Sequence, residues 1–269
     1  MSTFSSAVTV GIPFYAGETP AHFRAAIDSV LNQSHSPEAV HLVQDGPVPE
    51  ELSAIVDAYT DKYDEVVHIL IPSNRGLSYA LNTSIRRTET SYYARMDADD
   101  ICHKERLERQ IGFLEAHPTV DILGTAALEF DTHPDESGKM LKKMPERKEE
   151  IERMAHYRTP FIHPSVVFRT RVFETIGFYE ERDMVDDVAL WMEAFHHDVG
   201  VANLPDPLLY FRTSGVVGRR AHLRRALREA VIRLRYPTRS VRLNALKLAS
   251  ILFRFLPARI QEWGYQNLR

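Results

Sequence analysis

Ser91-Tyr92-Tyr93-Ala94-Arg95-Met96-Asp97-Ala98-Asp99-Asp100 runs from a short strand pattern straight into three carboxylates within four positions. Upstream, three runs of the same kind alternate with helical patterns. Val8 to Ile12, Val40 to Val43 and Val66 to Ile71 read as strands, and Ser91 to Met96 as the fourth. Between them a helix opens at Thr19 as N-cap with Pro20 at its first position, placing Phe23, Ala26, Ile27, Val30 and Leu31 on one face. A second helix aligns Leu52, Ile55, Val56 and Tyr59, and a third spans Leu77 to Ile85. This alternation predicts an α/β fold built on a parallel sheet of βα units.

Open parallel sheets bind ligands beyond the carboxyl ends of their strands. The segments in those positions are Pro13-Phe14-Tyr15, Gln44-Asp45-Gly46, Asn74-Arg75-Gly76 and Asp97-Ala98-Asp99-Asp100, and all four should face one crevice. Three neighbouring carboxylates repel one another unless a cation neutralises them, and hard oxygen ligands suit Mg2+ or Mn2+ held jointly with substrate phosphates. A solvated acidic turn capping a helix that starts near His103 is the competing reading of the same residues.

Past residue 100 the pattern shortens. Val120 to Gly124 and Ala126 to Phe130 read as two strands, and Asp131 to Glu150 as a mobile polar loop. His163-Pro164 precedes a strand from Val166 to Arg169, Asp186-Asp187 opens a helix, and Leu208 to Arg212 forms a last strand. Paired aspartates at a helix start also serve as N-cap and dipole partners, an effect of about 1 kcal/mol.

Taken together, Val10-Gly11-Ile12-Pro13-Phe14-Tyr15, Ile27-Asp28-Ser29-Val30-Leu31-Asn32-Gln33-Ser34, Asn74-Arg75-Gly76-Leu77 with Ala80-Leu81-Asn82, and Arg95-Met96-Asp97-Ala98-Asp99-Asp100 resemble the family 2 inverting glycosyltransferases. The likeness continues through His163-Pro164-Ser165-Val166-Val167-Phe168-Arg169, Gly177-Phe178-Tyr179 and Asp186-Asp187-Val188-Ala189-Leu190-Trp191 to Leu209-Tyr210-Phe211-Arg212, covering roughly residues 8 to 213.

The resemblance implies a GT-A-type fold: a nucleotide-binding, mostly parallel sheet flanked by helices, here with a C-terminal helical extension. It divides the chain into a catalytic domain over 1–215, with a nucleotide-binding half (1–100) and an acceptor-binding half (101–215), and a basic tail over 216–269. It implies that Pro13, Phe14 and Tyr15 line the nucleotide pocket, that Asp45 meets the base, and that Asn74 and Arg75 border the nucleotide. Asp97 would lie near the ribose, Asp99 would bind Mn2+ or Mg2+, and Asp100 would support the metal site or touch the donor sugar. Asp187, preceded by Asp186, stands where the family keeps its general base. His163 is implied near a donor or acceptor sugar. Trp191, one turn from Phe195, is either a sugar-stacking platform or core. Many relatives carry a histidine two positions after the late Tyr-Arg pair, whereas this chain reads Arg212-Thr213-Ser214. Arg212, Arg219 and Arg220 are the candidates for the diphosphate instead.

Charge separates the ends of the chain. Residues 219–269 hold 13 Lys and Arg against Glu229 and Glu262, leaving 20 basic and 35 acidic residues elsewhere, so a net charge of −4 hides a strongly basic tail. From Ala221 to Phe255 the tail reads as amphipathic helix suited to an anionic membrane surface, or to packing on the catalytic domain or a second subunit. Its longest uncharged run is too short to cross a bilayer. Cys102 is the only cysteine, which precludes an intrachain disulfide, and no export signal is evident, so a cytoplasmic enzyme, peripheral on the membrane, is expected. Nucleic acid is not an expected partner; a homo-oligomer is compatible. The expected reaction takes a sugar from a UDP-sugar to a glycan or lipid-linked acceptor, in surface polysaccharide, glycolipid or glycoprotein glycan assembly. A nucleotidyltransferase would need a glycine-rich basic loop where Pro13 to Glu18 stands. A catalytically silent nucleotide-sugar-binding scaffold remains the alternative of a different class.

Overall fold

The computed structural model describes residues 6–132, 139–181, 186–213, 223–238, 240–253 and 255. Strands β1 (Val8–Phe14), β2 (Ala39–Asp45), β3 (Val66–Ile71) and β4 (Tyr92–Arg95) are joined by helices α1 (Pro20–Leu31), α2 (Glu50–Lys62) and α3 (Leu77–Arg86). They pair in parallel in the order β3-β2-β1-β4. The helix faces expected from periodicity are the buried ones: Phe23, Ala26, Ile27 and Val30 of α1, and Leu52, Ile55, Val56 and Tyr59 of α2. Thr19 makes no side-chain cap; Pro20 alone marks the start of α1.

Beyond β4 the sheet becomes mixed. Two-residue β5 (Ile101–Cys102) and α4 (Arg106–Ala116) precede β6 (Ile122–Phe130), β7 (Met140–Lys142) and α5 (Lys148–Ala155). Then follow a 3-10 turn (His163–Ser165), β8 (Val167–Arg169), α6 (Val172–Ile176), α7 (Asp186–His196) and β9 (Val201–Arg212). The order continues β4-β8-β6-β9-β5, with β7 also on β6. The two strands expected between 120 and 130 are one. At Gly124-Thr125 the chain does not turn; its pairing with β9 shifts register around Thr125 to Ala127 instead. The expected loop over 131–150 contains β7 and the start of α5, because Met140 to Lys142 pair with Ala127 to Glu129.

The basic tail forms two helices, α8 (Leu223–Arg235) and α9 (Val241–Phe253), rather than one, broken at Tyr236-Pro237-Thr238 because proline cannot continue a helix. Ile232 and Tyr236 pack with Val188, Ala189, Met192 and Phe195, so one side of the tail sits on the catalytic domain. No helix of the described residues is long and apolar enough to cross a membrane.

Candidate active site

The ends of the four parallel strands converge on a crevice of about 450 Å³. Pro13 and Phe14 of β1 with Tyr15 just after it, Asp45 from β2, Asn74 and Gly76 after β3, and Arg95 at the end of β4 with Asp97 and Asp99 after it all line it, together with Phe211 and Arg212 from β9. Phe14 is buried against Phe23, with ring centroids 4.5 Å apart. Tyr15 is therefore the exposed aromatic of this wall.

Asp45 holds the loop after β3. Its two carboxylate oxygens accept the backbone N–H groups of Arg75 and Gly76 at 2.7 and 2.8 Å, and its carbonyl accepts Asn74 Nδ2. A carboxylate at the start of α3 also complements that helix's dipole. The close approach needs Gly46, whose φ is +87° and where a Cβ would lie 2.6 Å from the Asn74 nitrogen. Arg75 lies over the Tyr79 ring at 4.4 Å rather than in the crevice wall.

Asp97, Asp99 and Asp100 each place a carboxylate oxygen within 4.8 Å of the others. Asp100 is buried: one oxygen accepts the Arg212 backbone N–H at 2.8 Å and the other, Oδ2, has no partner. Burial, then the charges of Asp97 and Asp99, push its carboxyl well above the usual carboxylate range. An unpartnered buried oxygen within a self-repelling set of hard donors fits a divalent cation.

Arg95, quoted above only as part of a motif, is the residue the sequence reading missed. It is buried and pairs with Asp97 at 2.6 Å. A cation ending a buried strand immediately before an acidic cluster is the signal that could have found it. Beneath it, fully buried Arg106 donates to the Arg95 carbonyl at 2.8 Å and to Gln110, fixing the turn from below.

Arg212 is tied to the same turn. Its guanidinium donates to the carbonyls of Asp99, Asp131 and Thr132 and lies over Phe130. Arg219 and Arg220 fall outside the described residues.

The acceptor-side candidates are separate from the crevice lining. His163 Nε2 meets the Tyr179 hydroxyl at 2.8 Å, and burial, then the Arg95 charge, holds its pKa well below 6.5, so the ring is neutral at pH 7. Asn82 clamps Tyr179 at both backbone groups, each at 2.9 Å. Trp191 is fully buried, stacked on Phe168 and touching Phe161 and His163. It is core and offers no sugar platform. Asp186 and Asp187 begin α7, with the Asp187 side chain half-buried; the side chain of Asp186 is outside the described set.

This geometry coincides with relationships visible across the chain. Residues 9–177 match the model of glycosyl transferase family 2. The chain belongs to glycosyl transferase family 2. The glycosyltransferase is 36% identical over 213 residues to the amylovoran biosynthesis glycosyltransferase AmsE of Erwinia amylovora, covering 79% of each chain. It is 25% identical to the UDP-Gal:alpha-D-GlcNAc-diphosphoundecaprenol beta-1,3-galactosyltransferase of Escherichia coli, over 100% of this chain and 98% of that one. In architecture it is similar to the mannosyltransferase PcManGT of Pyrobaculum calidifontis, solved with GDP-Man and Mn2+ (TM-score 0.66, 16% identity, 97% of this chain and 75% of that chain). The fold is thus GT-A type.

Proposed function

We propose that this glycosyltransferase moves a sugar from a UDP-sugar to a hydroxyl of a lipid-linked glycan, with inversion, in the assembly of a surface polysaccharide. The observation that carries the reading is the meeting of Asp97 and Asp99, which line the crevice, with the buried Asp100, in a crevice also lined by the ends of the remaining parallel strands. The donor and acceptor class are supported by the galactosyltransferase relative, whose name specifies UDP-Gal and a diphosphoundecaprenol-linked sugar, and by the amylovoran relative.

In this reading Tyr15, Asp45 and Asn74 receive the nucleoside. Asp97 lies toward the ribose, its carboxylate oriented by Arg95. Asp99, with Asp100 behind it, would hold Mn2+ or Mg2+, and the ion would supply positive charge to the departing diphosphate. Asp187 takes the proton of the acceptor hydroxyl as that oxygen attacks the anomeric carbon from the face opposite the leaving group. The new glycosidic C–O bond forms while the bond to the diphosphate oxygen breaks, and the nucleoside diphosphate leaves with the electron pair. Arg212 serves the diphosphate indirectly, by fixing the Asp99 backbone. His163 and Tyr179 shape the acceptor side. The basic tail keeps the enzyme peripheral on the cytoplasmic face of an anionic membrane, where such an acceptor is presented.

The test is calorimetric titration of UDP and GDP into the protein with and without Mn2+, repeated on Asp99→Ala. UDP is expected to bind only with the metal, and the variant to lose that dependence. Absence of binding by either nucleotide under every condition would overturn the reading.

A further inference from the structure

A helix packed on a domain in water ordinarily turns its apolar stripe inward and its charges outward. The tail helices largely reverse this. On α8 the ion pair Glu229–Arg233, at 2.7 Å, faces the domain, with the two residues 2% and 0% exposed, and Arg233 also donates to the Ala155 carbonyl. On α9, Lys247 is the buried cation, donating to the Tyr236 carbonyl at 2.6 Å. Outward go Leu227, Val231 and Leu234, spaced i, i+4, i+7 along α8, and Val241, Leu248 and Leu252 along α9. Leu234, Val241 and Leu252 are 57%, 84% and 67% exposed. Leu227, Val231 and Leu248 are about half exposed, at 50%, 49% and 53%. Inward anchors do exist in Ile232 and Ile251, and Tyr236–Glu193 (2.6 Å) and Ser250–Tyr157 (2.6 Å) complete the attachment, so the orientation of the helices is fixed.

We propose that α8 and α9 dock on an anionic lipid surface through these outward stripes, the buried charges acting as the latch that holds the stripes facing away from the catalytic domain. This rests on the reading that the acceptor is lipid-linked and names the surface of this chain that meets the lipid. Charge selects the occupant. From 223 to 253 the sequence has seven arginines and one lysine against a single acid, Glu229, which is buried with its partner; Arg242 is exposed beside the stripes, and so is Arg235, which also meets the half-exposed Glu180 at 3.7 Å. Apolar rows flanked by arginine, with no carboxylate of the two helices themselves turned outward, complement a negatively charged headgroup layer. A second copy meeting this one face to face would oppose two basic surfaces.

The test is flotation of the full chain with phosphatidylcholine vesicles, with and without about one-third phosphatidylglycerol. Binding is expected only to the anionic vesicles, weakening as salt rises. Leu234→Ser with Leu252→Ser should cut that partition roughly tenfold without lowering the melting temperature, and Arg235→Gln with Arg242→Gln should weaken it while leaving melting unchanged. Asp99→Ala should bind vesicles as the parent does, which separates failure of docking from failure of the catalytic reading. The proposal is overturned if anionic vesicles fail to retain the chain, or if the serine variant floats like the parent. It is equally overturned if that variant melts lower, showing the stripe covered by the rest of the chain, or if the parent is a dimer that the variant dissociates.

Discussion

Arg95 and Asp97 face each other at 2.6 Å, and the Nε and Nη1 groups of Arg95 have no hydrogen-bond partner. The buried cation depends on the aspartate more than the aspartate, which reaches solvent, depends on it. Asp97→Ala should therefore cost about 3 kcal/mol by leaving the guanidinium uncompensated, whereas Arg95→Met, which removes the orphaned donors as well, should cost less than about 1 kcal/mol. Urea unfolding in the presence of a chelator measures both, and equal losses would contradict this account. Both variants should be poor catalysts, since each frees the turn that carries Asp99.

Asp187→Asn should leave metal-dependent UDP binding intact and lower turnover about 10²- to 10⁴-fold, the usual contribution of a general base. A variant that transfers sugar at the parent rate would remove Asp187 from the mechanism.

Asn82→Ala deletes both hydrogen bonds to the Tyr179 backbone, a loss of about 2 kcal/mol for a buried pair. With Tyr179 released, His163 loses its hydroxyl partner. Transfer should slow through a raised KM for acceptor, with donor affinity unchanged, and steady-state kinetics varying one substrate at a time reads the difference.

Burial lowers the pKa of His41 to about 4 and that of His163 well below 6.5. Both must stay neutral in the folded state, so their stabilisation is complete above about pH 6.5 and is lost as pH falls through that value toward the folded pKa, with a slope of about 1.4 kcal/mol per pH unit for each. The raised carboxyl of Asp100 acts in the opposite sense in metal-free protein, so the measurement belongs in Asp100→Asn. Urea midpoints there should fall from pH 7 to pH 5, and adding His41→Gln should flatten the slope; an unchanged slope would show that His41 is solvated.

The parallel half of the sheet was legible because its strands are short β-branched or aromatic runs separated by helices with one clear apolar face. The carboxylate turn was legible because three acids within four positions at a strand end have few structural uses. Other features depend on contacts between distant segments. Two-residue β5 exists only through its pairing with β9. The first of the two strands expected between 120 and 130 ended at Gly124, yet a Cβ there would strike the Asn203 side chain, so the glycine marks close approach within one strand. Gln33, quoted as a motif residue, ties Ser29 and the His103 carbonyl to the Leu107 N–H, so its place in the motif reflects stitching rather than chemistry. The tail shows the limit most clearly: periodicity tells which residues share a helix face and is silent on which face turns inward.

The inward pair Glu229–Arg233 constrains how this tail can drift over generations. Losing either member alone strands a charge inside the protein, so the two positions can change only together or toward a matched apolar pair. Leu227, Val231 and Leu234 can exchange among apolar residues one at a time at small cost to folding. The two sides of one helix thus answer to different selective pressures, one set by the fold and one by whatever surface the enzyme meets.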